Sequence, residues 1–282
     1  MTIQLDAETR ASDRCAVCGA GDADRVLNDL LRACRVCRFT WTTAQLEPPE
    51  VLYHSGYFEG EGYEDYYQPA AREYEAGRRL RWLLRTGPAD TMIEAGAAGG
   101  YFVAAARAAG IHADGVELSA SAAAFARNRL GVPVQAGPFE SATFSHPYDI
   151  VCAFHVLEHV EDPATFLDAA RAATVPGGRL ALEVPNISSA AFARLGAAWP
   201  HIQPDYHRWH FTPDSLRRLV EQHGFRVETT DTVFSRYFWR PWPRWRNARK
   251  LLVADWVASG GPSVRHSRFG DVIRLIAVRS PE

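Results

Sequence analysis

The sequence predicts an α/β fold, a doubly wound and mostly parallel sheet with helices on both faces, preceded by a small cysteine-containing module. Between residues 91 and 184, short apolar strand patterns alternate with helical patterns, an order that builds parallel sheets. Four of the five cysteines form two closely spaced pairs near the start of the chain. The 282 residues are 47% hydrophobic and 23% charged, which suits one large core with an appendage.

Composition and charge narrow the possible classes of protein. The formal net charge of −2 gives no overall attraction to nucleic acid or to anionic lipid. No apolar run approaches the ~20 residues of a membrane-spanning helix. The first residues mix acidic and polar side chains and lack the apolar core of a signal peptide. We therefore expect a cytoplasmic protein without a membrane span, and the sequence does not indicate its oligomeric state.

The cysteine pairs, Cys15-x-x-Cys18 and Cys34-x-x-Cys37, are separated by fifteen residues. Disulfides are rare in a reducing cytoplasm, and this spacing is typical of four-cysteine zinc ribbons rather than of a redox pair. Four thiolates make a closed tetrahedral zinc site, which is structural and not catalytic. Residues 1–45 are therefore predicted to be a zinc-binding module. The fifth cysteine, Cys152, lies in an apolar run and is expected in the core.

The remaining elements follow in a regular order. Residues 46–88 are predicted to be a linker, rich in Tyr, Glu and Gly, and a helical cap over residues 70–85. The large domain spans residues 89–282. Its predicted strands cover residues 91–95, 113–118, 132–136, 149–154, 179–184, 225–229 and 271–278. Its predicted helices cover residues 101–109, 121–130, 163–173 and 213–223, and the last of them begins after Thr212 and stops at Gly224.

A glycine-containing loop joins the first predicted strand of the large domain to its first helix. Gly96, Ala98 and Gly100 follow Glu94 at alternate positions. Such a loop lets the backbone approach a ligand, and the helix that opens at Tyr101 offers unpaired N–H groups. The dinucleotide fingerprint G-x-G-x-x-G does not fit. The pattern that fits is acidic-x-Gly-x-Gly/Ala-x-Gly, with alanine in the middle position.

A second carboxylate, Glu117, ends the second strand of the large domain, 23 residues after Glu94. In nucleotide-binding folds, a carboxylate at this place accepts hydrogen bonds from ribose hydroxyls. The alternative interpretation is a solvated glutamate at a strand end. The glycine loop upstream favours the ligand-binding interpretation.

The stretch His155-Val-Leu-Glu158-His159-Val follows a predicted buried strand. Its H-x-x-E-H pattern matches that of one class of zinc proteases, in which a helix places both histidines on the metal. Here the motif follows a strand directly and ends at Asp162-Pro163, where a new helix begins. This context disfavours the protease interpretation.

Together these motifs resemble class I S-adenosylmethionine-dependent methyltransferases, in particular those related to ubiquinone biosynthesis. The resemblance covers residues 57–224 and the final strand, and it includes Val184-Pro-Asn and the run from Trp199 to Pro213. It implies a Rossmann-like, seven-stranded methyltransferase sheet that binds S-adenosylmethionine. The cofactor contacts that it implies come from the glycine loop, the strand ends and the turn after the third strand: Glu94, Gly96, Ala98, Gly100, Tyr101, Phe102, Glu117, Leu118, Phe139, Phe154 and His155.

The resemblance places the element around His159 beside the transferred methyl group. A hydroxyl or ammonium acceptor must lose a proton, and histidine suits that task because its pKa lies near neutrality. We therefore expect His159 to be the general base, with His155, His207 and His210 lining the pocket. The alternative is that these histidines only cap helices and brace loops. Some relatives bind Mg²⁺ in this region, but His155 at the first acidic position argues against such an oxygen-rich site.

The cysteine module resembles the N-terminal module of deoxysugar C-methyltransferases from antibiotic pathways. We therefore expect methyl transfer to O, N or C of a small molecule, a natural product or a modified sugar. Two other functions stay open. One is an RNA methyltransferase whose zinc ribbon holds nucleic acid, which the net charge of −2 disfavours. The other is a non-catalytic binding module, which Ala98 in a glycine position suggests.

A Trp/Arg-rich insertion is predicted at about residues 232–268, between the last two strands. Residues 234–250 hold six basic side chains and no acidic one. Interleaved arginines and aromatic rings can stack on bases, lie at a membrane interface or form a lid over an aromatic substrate. The small net charge favours a lid or a substrate wall.

Overall fold

The computed structural model describes residues 14–53, 69–234 and 270–281 of the chain. The strands are β1 Ala23–Val26, β2 Leu31–Cys34, β3 Thr40–Thr42, β4 Thr91–Ala95, β5 His112–Glu117, β6 Val134–Ala136, β7 Tyr148–Phe154, β8 Thr174–Pro185, β9 Trp209–His210, β10 Phe225–Val233 and β11 Val272–Arg279. The helices are α1 Pro49–Leu52, α2 Pro69–Leu83, α3 Tyr101–Ala108, α4 Ala120–Phe125, α5 Pro163–Ala173, α6 Ala190–Leu195 and α7 Pro213–Gln222.

The large sheet has the strand order β10-β11-β8-β7-β4-β5-β6. Neighbouring strands from β8 to β6 are parallel, whereas β11 lies antiparallel to both β8 and β10. The predicted fold class, a Rossmann-like doubly wound sheet of seven strands, is therefore confirmed. Glu94 of β4 pairs with Cys152 of β7, so the loops that follow these two strands leave the sheet at the same edge.

The core lies on both faces of the sheet because its central strands are apolar along their length. On one face, Ile93 and Val151 pack with the apolar sides of α5 and α7. On the other face, Met92 and Cys152 pack with α2, α3 and α4. All four of these side chains are at most 1% exposed. Cys152 is thus a core residue, as its apolar neighbours in the sequence predict.

Helix ends follow the capping signals in the sequence. The Asp162 carboxylate accepts hydrogen bonds from the first N–H groups of α5, and Pro163 occupies the first turn, where no N–H is needed. Thr212 and Ser215 form a reciprocal capping box at the start of α7. After α7, Gly224 adopts a φ of +77°, a left-handed conformation that suits glycine at a helix end.

Some boundaries differ from the sequence predictions. β8 begins at Thr174, five residues early, because Thr174 pairs with Tyr148 and the strand bulges through the predicted Pro-Gly-Gly turn before Arg179 pairs with Ile150. The helix predicted to continue to residue 130 leaves α geometry after Phe125 and ends in one wider turn. The predicted Trp/Arg insertion lies outside the described residues, apart from the end of β10 and Phe234.

The cysteine module and the large domain share a second sheet, with the order β1-β2-β3-β9. Its outer strand β9 belongs to the large domain and precedes α7. Trp41 pairs with Trp209 across this junction, and the Phe39 ring stacks on Trp209 with centroids 5.8 Å apart. Phe39 also packs against Phe211, with ring centroids 5.5 Å apart. The sequence does not predict this strand pairing, because a two-residue strand carries no periodic signal.

None of the helices in the described parts of the chain combines the length and the apolar character that crossing a lipid bilayer requires.

Two glycines test how tightly the first helix of the large domain is packed. Gly100 and Gly110 both adopt left-handed φ angles, +79° and +88°. A Cβ at Gly100 lies 2.7 Å from the Ala126 Cβ, whereas a Cβ at Gly110 meets nothing within 4 Å. Gly110→Ala should lower the free energy of unfolding by about 1–2 kcal/mol through backbone strain alone. Gly100→Ala should cost a further ~1–3 kcal/mol through overpacking, measured by urea denaturation. Equal costs for both variants would contradict the steric role of Gly100.

Candidate active site and four-cysteine site

A cavity of about 660 Å³ opens at the sheet edge where the parallel strands end. The loops that follow β4, β5, β6 and β7 form one side of this cavity. The opposite side is formed by α2 and by the residues around Tyr53 and His201. A smaller cavity of about 60 Å³ adjoins it and shares Arg79, Gly96 and Phe154 with it. Open α/β sheets bind ligands at this edge, and the larger volume suits a nucleoside-sized ligand together with a second molecule.

The glycine loop reaches the cavity because Gly96 has no side chain. Gly96 adopts a φ of +69°, and a Cβ there lies 2.4 Å from the Val156 Cγ2. Any other residue at this position therefore collides with the loop that follows β7. Ala98 adopts a φ of +47° although it carries a Cβ, so its backbone is strained. Its N–H group donates a 2.7 Å hydrogen bond to the Glu117 carboxylate, which holds this conformation.

Glu117 lies at the end of β5 and is 5% exposed. Its second carboxylate oxygen accepts a 2.8 Å hydrogen bond from the Ser119 N–H group. Burial raises the pKa of the Glu117 carboxyl, although the N–H groups of Ser119 and Ala98 act in the opposite direction. The carboxylate therefore bridges the loops after β4 and β5 and lines the cavity together with Leu118.

Glu94 lies deeper, beside the smaller cavity. Burial raises the pKa of the Glu94 carboxyl well above its usual range, although the Arg79 guanidinium lowers it. Its Oε2 atom is buried without a hydrogen-bond partner among the described residues. An unpartnered buried oxygen next to a cavity is expected where a ligand donates a hydrogen bond.

Most of the other residues predicted to contact the cofactor line one of the two cavities. Phe139, Phe154 and His155 line the larger one, and Tyr101 and Phe102 line the smaller one. Gly100 lines neither cavity, and the space that a Cβ at this position would need is filled by Ala126 and Val132.

Basic and acidic residues of α2 line the same cavities, and the sequence reasoning did not identify them. Arg72, Glu75 and Arg79 lie on one side of this helix and face both cavities. Arg79 donates a 2.6 Å hydrogen bond to Glu183, and its guanidinium lies 4.6 Å from the centre of the Phe154 ring. The other Glu183 oxygen accepts from Arg274 at 2.7 Å. The sequence does contain a signal that could have identified them, because the helix before the first strand of the large sheet carries several arginines.

His155 follows β7 in a left-handed conformation, with a φ of +58°. Its Nδ1 lies 3.1 Å from Glu158 Oε1, and its Nε2 lies 3.4 Å from Glu183 Oε1. Burial acts to lower the pKa of His155, but the two carboxylates outweigh it and raise the pKa to about 9. His155 is therefore held in its charged form at neutral pH.

His159 lies on the cavity wall, between α1 and the segment before β9. Its Nδ1 contacts the Tyr53 hydroxyl and lies 3.2 Å from the Tyr206 carbonyl oxygen. The His207 ring meets it edge-on, with ring centroids 4.5 Å apart. Burial lowers the pKa of His159, and the nearby charge of His155 acts in the same direction. His159 is therefore neutral at pH 7.

The two later histidines differ in position. His207 lines the cavity, and its Nδ1 donates to the His201 carbonyl oxygen at 3.0 Å. Burial and the neighbouring His159 hold the pKa of His207 well below its usual range. His210 does not line the cavity, because its ring lies behind His207 and its Nε2 is 3.0 Å from the Thr42 hydroxyl. His201, which the sequence reasoning did not single out, lines the cavity instead.

Among the described residues, two groups of side chains could hold a metal ion. Glu158, His159 and His207 each offer one ligand atom, and these atoms lie within 4.8 Å of one another in the cavity wall. One oxygen and two nitrogens fit a borderline-soft divalent cation better than Mg²⁺. The second group is the set of paired cysteines described next.

The four cysteines of the N-terminal module converge on one point: Cys15, Cys18, Cys34 and Cys37. The Sγ atoms of Cys15 and Cys37 are 3.4 Å apart, and those of Cys18 and Cys34 are 3.5 Å apart. Tetrahedral zinc with Zn–S bonds of ~2.3 Å places sulfurs ~3.8 Å apart, so this cluster fits such a metal after a small expansion. Burial acts to raise the pKa of Cys34, but N–H groups of Cys37 and Val36 lower it to about 7, whereas burial raises the pKa of Cys15 and Cys37. A bound metal cation would favour the thiolate form of all four.

Comparison with known proteins gives one consistent answer. The model of a family described as a methyltransferase domain matches residues 67–230. The ubiquinone biosynthesis O-methyltransferase of Aromatoleum aromaticum is 30% identical over 175 residues, which cover 56% of this chain and 74% of that protein. The protein of the same name from Thiobacillus denitrificans is 28% identical over 166 residues, covering 53% and 71%.

Solved structures agree on the fold. A methyltransferase from Thermotoga maritima, described as a possible histamine N-methyltransferase, superposes with a TM-score of 0.54 at 18% identity, covering 77% of this chain and 94% of that one. Magnesium protoporphyrin IX methyltransferase from Synechocystis, with bound S-adenosylhomocysteine, superposes with a TM-score of 0.53 at 15% identity, covering 83% and 100%. The family model spans more than half of the 282 residues. The chain therefore belongs to the methyltransferase domain family and is an S-adenosylmethionine-dependent methyltransferase.

Proposed function

We propose that this methyltransferase acts on a hydroxyl group of a small molecule, either a natural product or a modified sugar. The observation that carries the proposal is the neutral His159 ring in the cavity wall, because an oxygen acceptor must lose its proton during transfer. The two relatives described above are both named O-methyltransferases, which supports an oxygen acceptor over nitrogen or carbon.

The cofactor residues fit S-adenosylmethionine. Glu117 is placed to accept hydrogen bonds from ribose hydroxyls, and Phe139 offers an apolar surface for the base. Arg72 and Arg79 on α2 supply positive charge for a carboxylate, and the unpartnered Glu94 oxygen can accept from an ammonium group. When bound, S-adenosylmethionine supplies an electrophilic methyl group.

The chain itself must orient the acceptor, exclude water and accept a proton. His155 cannot accept one at neutral pH because Glu158 and Glu183 keep it charged. His159 can, since its Nδ1 is engaged by Tyr53 and by the Tyr206 carbonyl, which leaves Nε2 for the acceptor proton. His207 packs edge-on against this ring and limits its rotation. One cavity thus contains a charged histidine, His155, and two neutral ones, His159 and His207.

We assign a structural zinc ion to the four-cysteine site. The thiol positions described above fit tetrahedral zinc, and a closed four-thiolate shell leaves no position for substrate. The zinc stabilises the module that pairs with β9, so its removal is expected to loosen the module first.

An RNA substrate is the rival proposal. It predicts that RNA affinity falls steeply with salt, because phosphate contacts release counterions. Fluorescence titrations of an unstructured RNA at two salt concentrations separate the two proposals, and tight, salt-dependent binding would favour RNA. The non-catalytic binding module suggested by Ala98 is set aside, because the chain belongs to the methyltransferase domain family.

The cofactor assignment predicts the effect of Glu117→Ala. The variant should bind S-adenosylmethionine about 1–3 kcal/mol more weakly in calorimetry, because two hydroxyls lose a charged acceptor. Glu161→Ala, which removes an exposed carboxylate at the same cavity, is the matched control and should bind normally. A Glu117→Ala variant that stays folded and keeps the wild-type affinity would remove Glu117 from the cofactor site.

The metal assignment predicts one zinc per chain in the purified protein. Cys34→Ser should lose the zinc and expose the module to proteolysis, while the large domain stays folded, because the metal supplies much of the folding free energy of such a module. Cys152→Ser, which lies outside the cluster, should keep its zinc. Elemental analysis under reducing conditions is the measurement, and a wild-type protein without zinc contradicts the assignment.

The base assignment predicts that His159→Ala lowers turnover by about 10²–10⁴-fold with nearly unchanged cofactor affinity. Protocatechuate and a nucleotide-linked deoxysugar serve as trial acceptors. Because the pKa of His159 is lowered, the wild-type rate should stay level above pH 6.5 and decline only at lower pH, as the ring becomes protonated. If His159→Ala kept full turnover from pH 6 to 9, the assignment of His159 as the general base would be wrong.

A test of metal dependence distinguishes a general base from a metal ligand. The possible ligand atoms of His159, Glu158 and His207 lie within 4.8 Å of one another, so loss of activity in His159→Ala fits either role. A base requires that wild-type turnover survives EDTA and gains nothing from added Mn²⁺ or Co²⁺. If elemental analysis shows that the four-cysteine site keeps its zinc, loss of activity in EDTA and its recovery with one of these cations would reassign His159 as a ligand.

A further inference from the structure

Besides the strand pairing and the aromatic contacts described above, one buried hydroxyl of the cysteine module contacts the histidine segment. Thr42, the last residue of β3, is 5% exposed. Its Oγ1 lies 2.6 Å from the His207 carbonyl oxygen and 3.0 Å from the His210 Nε2. In addition, the Thr42 N–H group donates to the Arg208 carbonyl oxygen at 3.0 Å. Thr42 thus contacts three of the four residues from 207 to 210, namely His207, Arg208 and His210.

The proton count at Thr42 fixes the state of the His210 ring. A hydroxyl has one proton, and the His207 carbonyl oxygen can only accept, so the Thr42 hydroxyl donates to it. The His210 Nε2 must then donate to the Thr42 oxygen. Burial lowers the pKa of His210 to about 3, so the ring is neutral and its Nδ1 carries no proton. Thr42 therefore selects one tautomer of His210.

The opposite side of the segment is held by the loop after β7. The N–H groups of Arg208 and Trp209 donate to the Glu158 carbonyl oxygen at 2.9 and 3.2 Å. The Trp209 indole donates to the Val160 carbonyl oxygen at 2.8 Å. The segment is thus fixed between β3 and the loop that carries His159. His207 is the member of this segment that reaches the cavity.

The module itself stays outside the cavity. Among the described residues, those that line it begin at Pro49, after the last strand of the module. The module also packs through Leu31 against Trp199 and Ile202, but these contacts are apolar. Its buried side-chain hydrogen bonds to the segment that carries His207 come from Thr42.

We propose that Thr42 is a positioning residue through which the four-cysteine module sets the place of His207 beside His159, and so the acceptor side of the cavity. The proposal rests on the function proposed above, since it assigns that side to the methyl acceptor. It does not involve the cofactor side, which the loops after β4 and β5 form.

The test compares three variants of two neighbouring threonines. Thr42→Val keeps the shape of the side chain and removes the hydroxyl, and Thr42→Ser keeps the hydroxyl. Thr43→Val is the matched control, because the Thr43 hydroxyl donates only within the module, to the Asp29 and Leu30 carbonyl oxygens at 2.6 and 2.9 Å. Zinc content and thermal unfolding are measured for all three.

We expect Thr42→Val to lower kcat/KM for protocatechuate or the nucleotide-linked deoxysugar by about 10–100-fold, mainly through KM, because a small displacement of a pocket wall has effects of this order. The dissociation constant of S-adenosylmethionine should change less than about twofold, and the zinc content should stay at one per chain. Thr42→Ser should recover most of the loss. Thr43→Val should have wild-type kinetics, and a loss equal to that of Thr42→Val would overturn the proposal.

Nitrogen NMR of the histidine rings supplies a readout that does not need activity. In the wild type, His210 should show a protonated Nε2 and an unprotonated Nδ1, and Thr42→Val should abolish this preference. The ring signals of His207 and His159 should also move in Thr42→Val and not in Thr43→Val. Unchanged His207 and His159 signals would overturn the proposal. If the wild type methylates neither acceptor, those two compounds are not its substrates, and these ring signals alone decide the role of Thr42.

Discussion

The close contact between the loops after β4 and β7 is the constraint on which the site depends. Parallel pairing of these two strands brings both loops to one sheet edge, and the missing side chain of Gly96 lets them meet at Val156. The loop after β4 is then held by the Glu117 carboxylate, which accepts from Ala98. One buried acid therefore shapes the glycine loop and lines the cavity, while the neighbouring loop presents the histidines.

The positions of buried charges give the histidines of the cavity different protonation states. Glu183 is buried between two arginines, Arg79 and Arg274, so its own pKa lies well below the usual range, and it also faces His155. This carboxylate and Glu158 keep His155 charged. A few ångströms away, burial and the neighbouring His159 hold the pKa of His207 well below its usual range, so this ring is neutral. Identical side chains thus acquire different protonation states because of what each ring faces, as a site for proton transfer requires.

The second sheet makes the cysteine module part of the large domain's architecture. β9 is only two residues long, and an isolated strand pair of that length would be unstable in water. Here the aromatic side chains of Phe39, Trp209 and Phe211 bury the junction, and the loop after β7 supports its other side. The zinc ion proposed above would suit this position, because the rigidity of a metal-stabilised module does not depend on a large hydrophobic core.

The sequence by itself determined the α/β class, the strand at residues 91–95, the helix caps at Asp162 and Thr212, and the convergence of the cysteines, because each depends on local periodicity, capping chemistry or short spacing. The tertiary structure alone decided which histidines face the cavity. His210 looks equivalent to His207 in the sequence, yet its ring turns to Thr42, 168 residues away along the chain. The arginines of α2 and the buried Glu183 met only through the crossing of distant elements. Contacts of this kind depend on long-range packing, which no local pattern in the sequence encodes.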